Sequence, residues 1–226
     1  MSAIDPRTVT VVVIAKTPVP GRVKTRLCPP CTPEQAASIA AAALADTFEV
    51  VEAIGVDRRV VALDGEPGEW IPSSFEVVPQ RGDGLDERLA AAVDHVAGPV
   101  LVIGMDTPQL SPSVLEQAVA ALCADDVDAV LGPAEDGGYW TIGLRTPRPD
   151  ALVGVPMSTD RTYAAQLDRL DDLGLRTVVL GALCDVDTFH EAIEVAGLVP
   201  ESRFAAAVAD ARVPQVVGTS EELRRG

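Results

Sequence analysis

The hydrophobic positions along the chain form short apolar runs that alternate with longer amphipathic segments. Several short runs are continuously apolar and rich in Val, Ile and Leu, which is typical of strands covered on both faces of a sheet. The predicted strands are Thr8–Ala15, Arg59–Leu63, Phe75–Val78, Pro99–Ile103, Ala129–Leu131, Tyr139–Leu144 and Arg176–Leu180.

Helix start and stop signals lie between these runs. Thr32 stands three residues before Gln35, the spacing of a capping box, and Gly55 is placed to end that helix. Ser111, followed by proline, opens a second helix, and Gly174 closes a third. Strands that alternate with helices in this way predict an α/β fold with a mostly parallel sheet.

Length and composition favour one compact domain over residues 1–226, because 47% of the 226 residues are hydrophobic. The core is predicted over residues 8–195. The tail from Pro200 predicts one short helix, Glu201–Ala209, followed by a loosely packed segment, so that residues 200–226 form a C-terminal appendage.

The formal charge of −16 disfavours nucleic acid and anionic membranes as partners. The first apolar run, Val9–Ala15, follows an acid and a proline rather than a basic segment, which predicts a strand and not a signal peptide. No run approaches the roughly 18 apolar residues of a membrane span. We therefore expect a cytoplasmic protein with no nucleic-acid or membrane partner.

The four cysteines are interpreted as thiols without a metal or a disulfide. Cys28 and Cys31 form a CPPC pair, but a zinc site needs two further ligands at suitable spacing, and the chain has only two histidines. Redox use of such a pair needs a helix that begins just after the first cysteine, and prolines intervene here.

A basic loop with the sequence IAKTPVPGRVKTR directly follows the first predicted strand. It carries Lys16, Arg22, Lys24 and Arg26 without an acid, and Gly21 permits a tight reversal. Ligands of parallel sheets bind beyond the carboxyl ends of strands, where the strand order reverses. The loop is therefore predicted to hold a di- or triphosphate. It is not a Walker loop, and the alternative is a solvated basic turn.

Asp106 ends the buried strand in VLVIGMDTPQL. A carboxylate fixed at a strand end near a phosphate loop is a suitable ligand for Mg²⁺ or Mn²⁺. The alternative is that Asp106 caps the following helix, although Ser111 is better placed for that role.

The segment GPAEDGGYWTIGL contains a third candidate site. Gly137 and Gly138 would let a ligand approach the backbone closely, Asp136 could bind a metal or an acceptor hydroxyl, and Tyr139 or Trp140 could line an acceptor pocket. An ordinary hairpin turn would explain the same residues.

Two further segments contribute candidates. Asp185 and Asp187 lie between a strand and a helix capped by Thr188, so either could be a metal ligand, and helix capping by Asp187 is the alternative. Gly84 and Arg88, in GDGLDERLAAA, form a glycine-rich helix entry that could lie near a nucleotide base.

The order of VIAKTPVPGRVKTRL, GLDERL, VLVIGMDTPQL, GPAEDGGYWTIGL, STDRTYAAQLDRLDDLGLR and DVDT resembles a bacterial family of glycosyltransferase-like proteins, also labelled radical-SAM/selenodomain-associated transferases. The VKTRL core and the lone acid after the central strand are also similar to small guanylyltransferases of cofactor biosynthesis. The resemblance implies a three-layer α/β/α nucleotide-diphospho-sugar transferase (GT-A) fold that binds a nucleotide with a divalent cation.

The resemblance also implies roles for individual residues. It puts phosphate binding on Lys16, Arg22, Lys24 and Arg26, and it puts the segment 136–139 at the acceptor or a second metal. The further residues predicted to contact the nucleotide are Gly21, Gly84, Arg88, Gly137, Gly138 and Tyr139. Asp106 would hold the metal together with Asp185 or Asp187, and Asp136 would lie at the acceptor or at a second metal. Lys24, Asp106 and Asp136 are the implied catalytic residues.

Three functions remain open at this point. A glycosyltransferase would transfer a sugar from a nucleotide sugar to a small-molecule acceptor. A nucleotidyltransferase would join a nucleoside triphosphate to a phosphorylated acceptor and release pyrophosphate. A non-catalytic nucleotide-binding module is the third possibility, but such a module has little use for Asp106, Asp136 and Asp185 at strand ends.

Overall fold

The structure is a computed structural model that describes residues 4–212. Within this range the strands form one seven-stranded sheet, in the order β3-β2-β1-β4-β6-β5-β7. The strands are β1 (Thr10–Lys16), β2 (Arg58–Asp64), β3 (Glu76–Pro79), β4 (Val100–Ile103), β5 (Ala129–Pro133), β6 (Tyr139–Leu144) and β7 (Thr177–Val179). The helices are α1 (Pro33–Ala53), α2 (Leu85–Asp94), α3 (Pro112–Cys123), α4 (Thr162–Asp172), α5 (Phe189–Leu198) and α6 (Arg203–Arg212).

The predicted α/β fold with a mostly parallel sheet is confirmed. Six strands run in one direction, and β6 is antiparallel to both of its neighbours, β4 and β5. The reason lies in the connection from β5 to β6, residues 134–138, because five residues allow a hairpin but not a crossover.

Helices cover both faces of the sheet, which gives the three layers. Along β1 the side chains alternate between the two sides: Val11 and Val13 pack in a core with α1 and α3, whereas Val12 packs in a second core with α2 and α4. Both cores are built from buried aliphatic side chains, so the sheet reads as continuously apolar in the sequence.

Local signals in the sequence explain where the helices begin. The predicted capping box of α1 is present, with Thr32 accepting from the Gln35 backbone and Gln35 accepting from the Thr32 backbone. Thr188 and Glu191 form a second capping box at α5. Ser111 caps α3 through the Val114 backbone N–H.

The predicted tail helix is observed as α6, and it packs against α1 and α5. Phe204 and Val208 are each 1% exposed in a third core, and Arg203 pairs with Asp46 and Glu49 of α1. This part of the predicted appendage therefore belongs to the fold, and the segment 213–226 lies outside the described residues.

The sheet reverses direction of growth between β1 and β4. From β1 the chain adds β2 and β3 on one side, and it then returns to place β4 on the other side. The loops that follow β1 and β4 therefore meet at one edge of the sheet, where ligands of such folds bind. No helix among the described residues is long and apolar enough to cross a membrane.

Candidate functional site

The basic loop after β1 is held in place by two buried side chains, Val23 and Leu27. Its reversal is a tight turn in which the Arg22 N–H donates to the Val19 carbonyl over 3.0 Å. Gly21 supplies the positive φ of 75° that this turn requires. The predicted role of Gly21 in the reversal is therefore observed, and the turn directs the following residues toward the switch point.

Lys24 is the most enclosed cation of the loop, with a side chain that is 8% exposed. Its backbone is left-handed, with φ 47° and ψ 38°, which is uncommon for a residue with a side chain. The ammonium lies 2.6 Å from Asp106 Oδ1 and 4.0 Å from Asp187 Oδ1, and it donates to the Val186 carbonyl. Lys24 therefore links the segments that follow β1, β4 and β7.

The other loop cations are more exposed. Lys16 lies 3.5 Å from Asp64, and Arg26 donates to Asp187. Arg22 is exposed and forms no ion pair with any residue in the described range. These side chains surround an open cleft of about 260 Å³, lined by Lys16, Arg22, Val23, Lys24, Thr25, Arg26, Met105, Asp106 and Asp187.

The loop after β4 leaves two buried oxygens without a partner among the described residues. They are Thr107 Oγ1 and Gln109 Oε1. The Gln109 amide donates to the Cys184 carbonyl over 2.7 Å, and the Asp106 carbonyl accepts from the Val186 N–H over 2.9 Å. Buried oxygens of this kind are ordinarily satisfied by water or an ion. The contacts also bring the segment around Asp185 against this loop.

Three carboxylates meet next to the cleft. Asp136, Asp185 and Asp187 each offer an oxygen, and these oxygens lie within 4.8 Å of one another. The pairing of Ala134 with Leu183 continues the β5–β7 ladder and places the two segments side by side. We call Asp136, Asp185 and Asp187 the carboxylate triad.

The members of the triad differ in their partners. Asp136 accepts from the Gly138 N–H over 2.8 Å, and Asp187 is paired with Arg26. Asp185 is half-buried, and its carboxylate has no hydrogen-bond or ion-pair partner among the described residues. A half-buried carboxylate without a partner is the group of this cluster that most needs a cation.

The electrostatics follow from this crowding. Burial, and next the charge of Asp106, raise the pKa of Asp185 from 3.8 to about 8, while Lys24 opposes the shift. Burial disfavours the charged form of Lys24, but Asp106, Asp185 and Asp187 outweigh it and raise the pKa of the lysine. Lys24 is therefore a permanent cation at this site.

The structure brings most of the predicted site residues to one edge of the sheet, with differences in detail. Asp106 does not belong to the carboxylate triad, because its carboxylate faces the Lys24 ammonium. Gly84 is the N-cap of α2, and Arg88 lies 3.3 Å from Asp64, on the β2 side of the site.

The polar groups of the two aromatic residues are bonded to other parts of the fold. The Tyr139 hydroxyl donates to Gln166, which is fully buried, and burial raises the pKa of the phenol. Trp140 is 3% exposed, and its indole N–H donates to the Gly181 carbonyl. The prediction that Trp140 lines an acceptor pocket is therefore wrong. Trp140 lies in β6, and its side chain belongs to the core that includes residues of α1 and α3.

Asp64 lies beside the candidate site but is not among the residues predicted from the sequence. It ends β2, directly opposite Lys16 in the parallel register, and it lies near both Lys16 and Arg88. The position of Asp64 in the sequence indicates this place, since an acid at the carboxyl end of the strand next to β1 must lie beside the basic loop.

The cysteines take no part in a metal group in the described range. Cys28, Cys31, Cys123 and Cys184 are all free thiols, and the carboxylate triad is the single cluster with metal-ligand spacing found there. Burial raises the pKa of the Cys184 thiol to about 11 and also raises that of Cys31.

Solved structures of other proteins share this fold. A protein from Desulfovibrio desulfuricans G20, provisionally named a nucleotide-diphospho-sugar transferase, is 22% identical, with a TM-score of 0.76 over 90% of this chain and 97% of its own. CMP:2-keto-3-deoxy-manno-octonic acid synthetase, complexed with CTP, is 15% identical, with a TM-score of 0.58 over 85% of this chain and 98% of its own.

A third structure is glucosyl-3-phosphoglycerate synthase from Mycobacterium tuberculosis, in complex with Mn²⁺, UDP and glucosyl-3-phosphoglycerate. It is 15% identical, with a TM-score of 0.51 over 90% of this chain and 80% of its own. Identities this low show the fold alone, and the fold is that of the nucleotide-diphospho-sugar transferases.

At the sequence level, no curated protein matches the chain. A family model does match, over residues 36–159, which is more than half of the 226 residues. The matched range contains Asp106 and Asp136, and it begins after the basic loop. The chain therefore belongs to the family described as "Uncharacterized protein conserved in bacteria (DUF2064)".

Proposed function

We propose that this protein is a metal-dependent, nucleotide-utilising transferase that transfers a glycosyl group from a nucleotide sugar to a small-molecule acceptor. One observation carries the proposal: the carboxylate triad, with oxygens within 4.8 Å of one another, adjoins a cleft lined by loop cations at the switch point of the sheet. Carboxylates for a divalent cation beside cations for phosphates are the two parts that a nucleotide diphosphate requires.

The residues present fit Mg²⁺ or Mn²⁺. Asp136, Asp185 and Asp187 supply hard oxygen ligands, and Asp185 has no other partner in the described range. A cation bound there would stabilise the charge that develops on the departing diphosphate. Because the pKa of Asp185 is raised to about 8 without a metal, binding would also have to displace a proton.

The remaining roles belong to the chain's own side chains. We assign phosphate binding to Arg22 and Lys16, since Arg22 is unpaired among the described residues and the Lys16 side chain is 48% exposed. In the transfer, the acceptor oxygen attacks the sugar C1, the bond from C1 to the diphosphate breaks, the nucleoside diphosphate leaves, and the acceptor proton passes to a carboxylate or to solvent. Asp136 is the exposed member of the triad, so we assign to it contact with the acceptor.

The comparisons support the class of reaction. One of the three structures belongs to a protein provisionally named a nucleotide-diphospho-sugar transferase, and another, glucosyl-3-phosphoglycerate synthase, is in complex with Mn²⁺, UDP and glucosyl-3-phosphoglycerate. The resemblance to glycosyltransferase-like bacterial proteins points the same way.

A second candidate is nucleotidyl transfer, in which a nucleoside triphosphate is joined to a phosphorylated acceptor. The similar fold of a synthetase complexed with CTP favours it, as does the resemblance of VKTRL to small guanylyltransferases. The acceptor phosphate would then attack the α-phosphorus, and pyrophosphate would leave.

A ligand screen followed by product analysis tests both candidates. Nucleotide sugars and nucleoside triphosphates are first tested for a rise in melting temperature with and without Mn²⁺, because a ligand that binds only the folded state stabilises it. A nucleoside diphosphate released from the hit indicates glycosyl transfer, and pyrophosphate indicates nucleotidyl transfer. Binding without turnover of either donor would indicate a non-catalytic nucleotide-binding module.

A matched pair of variants links the result to the site. Asp185→Asn is expected to abolish the metal-dependent part of the stabilisation. Asp150→Asn is the control, because Asp150 pairs with Arg148 on the loop that follows the far end of β6. Equal losses in the two variants, or stabilisation that needs no metal, would contradict the proposal.

A further inference from the structure

The chain contains only two lysines, Lys16 and Lys24, against sixteen arginines, and both lysines lie on the basic loop or at its start. Their surroundings differ. The Lys16 side chain is 48% exposed, and the Lys24 side chain is 8% exposed. An ammonium is a compact charge, whereas a guanidinium is a planar fork, so a small enclosed cation position is one that lysine fills better.

Two of the three N–H donors of the Lys24 ammonium are already engaged. The ammonium has three N–H groups, and it contacts Asp106 Oδ1 at 2.6 Å and the Val186 carbonyl, with Asp187 Oδ1 4.0 Å away. To reach a phosphate in the open cleft it would have to leave the Val186 carbonyl and Asp106, a carboxylate that pairs with no other cation among the described residues. The left-handed backbone at Lys24, between buried Val23 and Leu27, points the side chain into this position.

The charges of the acidic cluster also favour a Lys24 that stays among these oxygens. The carboxylates of Asp106, Asp136, Asp185 and Asp187 carry four negative charges when ionised, and Lys24 and Arg26 supply two positive ones. One divalent cation would bring this group to neutrality. Without Lys24 the residual charge would be −3, which a single divalent cation would not balance.

We propose that Lys24 is a built-in cation of the acidic cluster: it holds Asp106, stays there when ligands bind, and leaves the carboxylate triad to take one divalent cation. Lys24 is then a positioning residue and not the phosphate ligand that the family resemblance implies. The metal half of this inference rests on the proposed function, and the placement of Lys24 rests on its own contacts.

The small number of lysines makes a direct measurement possible. Protein labelled with ¹³C at the lysine ε-carbon gives two lysine signals, and Lys16→Arg assigns them. Addition of magnesium chloride and then inorganic pyrophosphate is expected to shift the Lys16 signal and to leave the Lys24 signal near its starting position. The proposal is overturned if magnesium moves the Lys24 signal to that of an exposed lysine, or if pyrophosphate shifts Lys24 more than Lys16.

Metal counting is the second measurement. By calorimetry with Mn²⁺, the wild-type chain is expected to bind one ion, and Lys24→Met, which keeps the apolar stem but removes the charge, is expected to bind a second ion at Asp106. Two ions in the wild type, or one ion of unchanged affinity in Lys24→Met, would overturn the proposal. If Lys24→Met does not fold, the two NMR signals of the wild type still decide.

These readouts separate the two proposals. If the wild type binds no Mn²⁺ and pyrophosphate does not shift the Lys24 signal, the proposed metal dependence is contradicted and the placement of Lys24 is supported. Metal-dependent nucleotide binding with a Lys24 signal that follows the phosphate supports the transferase and overturns the inference.

Discussion

Gly137 is packed against the backbone of Asp160 so closely that a Cβ atom at Gly137 would lie 2.1 Å from the Asp160 carbonyl oxygen. Its φ is +91°, and its own carbonyl accepts from the Tyr163 N–H over 2.8 Å. The glycine pair of the β5–β6 turn therefore docks the turn on the start of α4, and Asp136 stands directly before it. The position of one triad carboxylate thus depends on the absence of a side chain.

Gly137→Ala is expected to destabilise the protein and to weaken metal binding. The substitution adds an unfavourable φ and a clash with the Asp160 carbonyl in the segment that leads into α4. We expect the free energy of unfolding to fall by about 2–3 kcal/mol. Urea unfolding measures the first effect, and Mn²⁺ calorimetry measures the displacement of Asp136.

Gly197→Ala is the matched control. Gly197 lies in α5, a Cβ there meets nothing within 4 Å, and its φ is not positive, so alanine should be neutral or stabilising by up to about 1 kcal/mol. Similar stability of the two variants would show that the contact at Gly137 relaxes easily.

The layers of the fold could be predicted from the sequence because the signals are local. Continuously apolar runs gave the strands, and Thr32 with Gln35 and Ser111 gave helix starts that the structure shows at the same residues. The direction of β6 could not be predicted from its composition, since β6 is an apolar strand like β4 and β5, to which it runs antiparallel. Only the short connection before it indicates a hairpin.

The sequence predicts which residues meet at one edge of the sheet, but it does not predict which of them form ion pairs. Because parallel strands end at the same edge of a sheet, the positions of the strand ends predicted that Lys24, Asp106, Asp136 and the segment 185–187 lie near one another. Which carboxylate faces which cation depends on the left-handed backbone at Lys24, and a sequence does not show that conformation for a lysine.

Arg22→Ala is expected to weaken inorganic pyrophosphate binding more than Arg26→Ala does. Arg22 is unpaired among the described residues, so all of its interaction is available to a ligand, whereas Arg26 is shared with Asp187. One charge-assisted hydrogen bond corresponds to about tenfold or more in affinity. Calorimetry at fixed ionic strength gives both constants, and a larger loss in Arg26→Ala would contradict this order.

Asp185→Asn is expected to stabilise the metal-free protein at pH 8. The pKa of Asp185 rises from 3.8 to about 8 on folding, first through burial and then through Asp106, so the folded state keeps a proton that the unfolded state releases. Stability contributed by this group is therefore lost as the pH rises from 3.8 to about 8, and asparagine removes the dependence. We expect a gain of about 2–4 °C in Tm at pH 8 and less at pH 5.

The control variant Asp150→Asn and the addition of Mn²⁺ should each show a trend opposite to the gain in stability expected for metal-free Asp185→Asn. Arg148 lowers the pKa of Asp150, so Asp150→Asn should lose a little stability at neutral pH instead of gaining it. Mn²⁺ should raise the Tm of the wild type more than that of Asp185→Asn. A gain in Asp185→Asn that is the same at pH 5 and pH 8 would refute the assignment.

Phe204→Ala is expected to detach α6 from α1. Phe204 is 1% exposed in the third core, and truncation of a buried phenylalanine costs about 3–5 kcal/mol. Arg203→Ala removes the ion pairs of a side chain that is 58% exposed, and Asp46 keeps the Phe204 N–H as a donor, so the substitution should cost less than about 1 kcal/mol. Urea unfolding compares the two, and equal small effects would mean that α6 is not part of the cooperative unit.

Asp64→Asn is expected to strengthen pyrophosphate binding without a large change in stability. Lys16 and Arg88 lie 3.5 Å and 3.3 Å from Asp64, and all three side chains are at least 32% exposed, so each pair is worth less than about 1 kcal/mol. Removing the competing carboxylate should free both cations and tighten binding about two- to fivefold at low salt, with the gain shrinking as salt screens it. A nucleotide whose affinity falls in the same variant would instead make Asp64 a contact to the nucleoside, because pyrophosphate lacks that part. Weaker pyrophosphate binding in Asp64→Asn would contradict the competition between Asp64 and the phosphates.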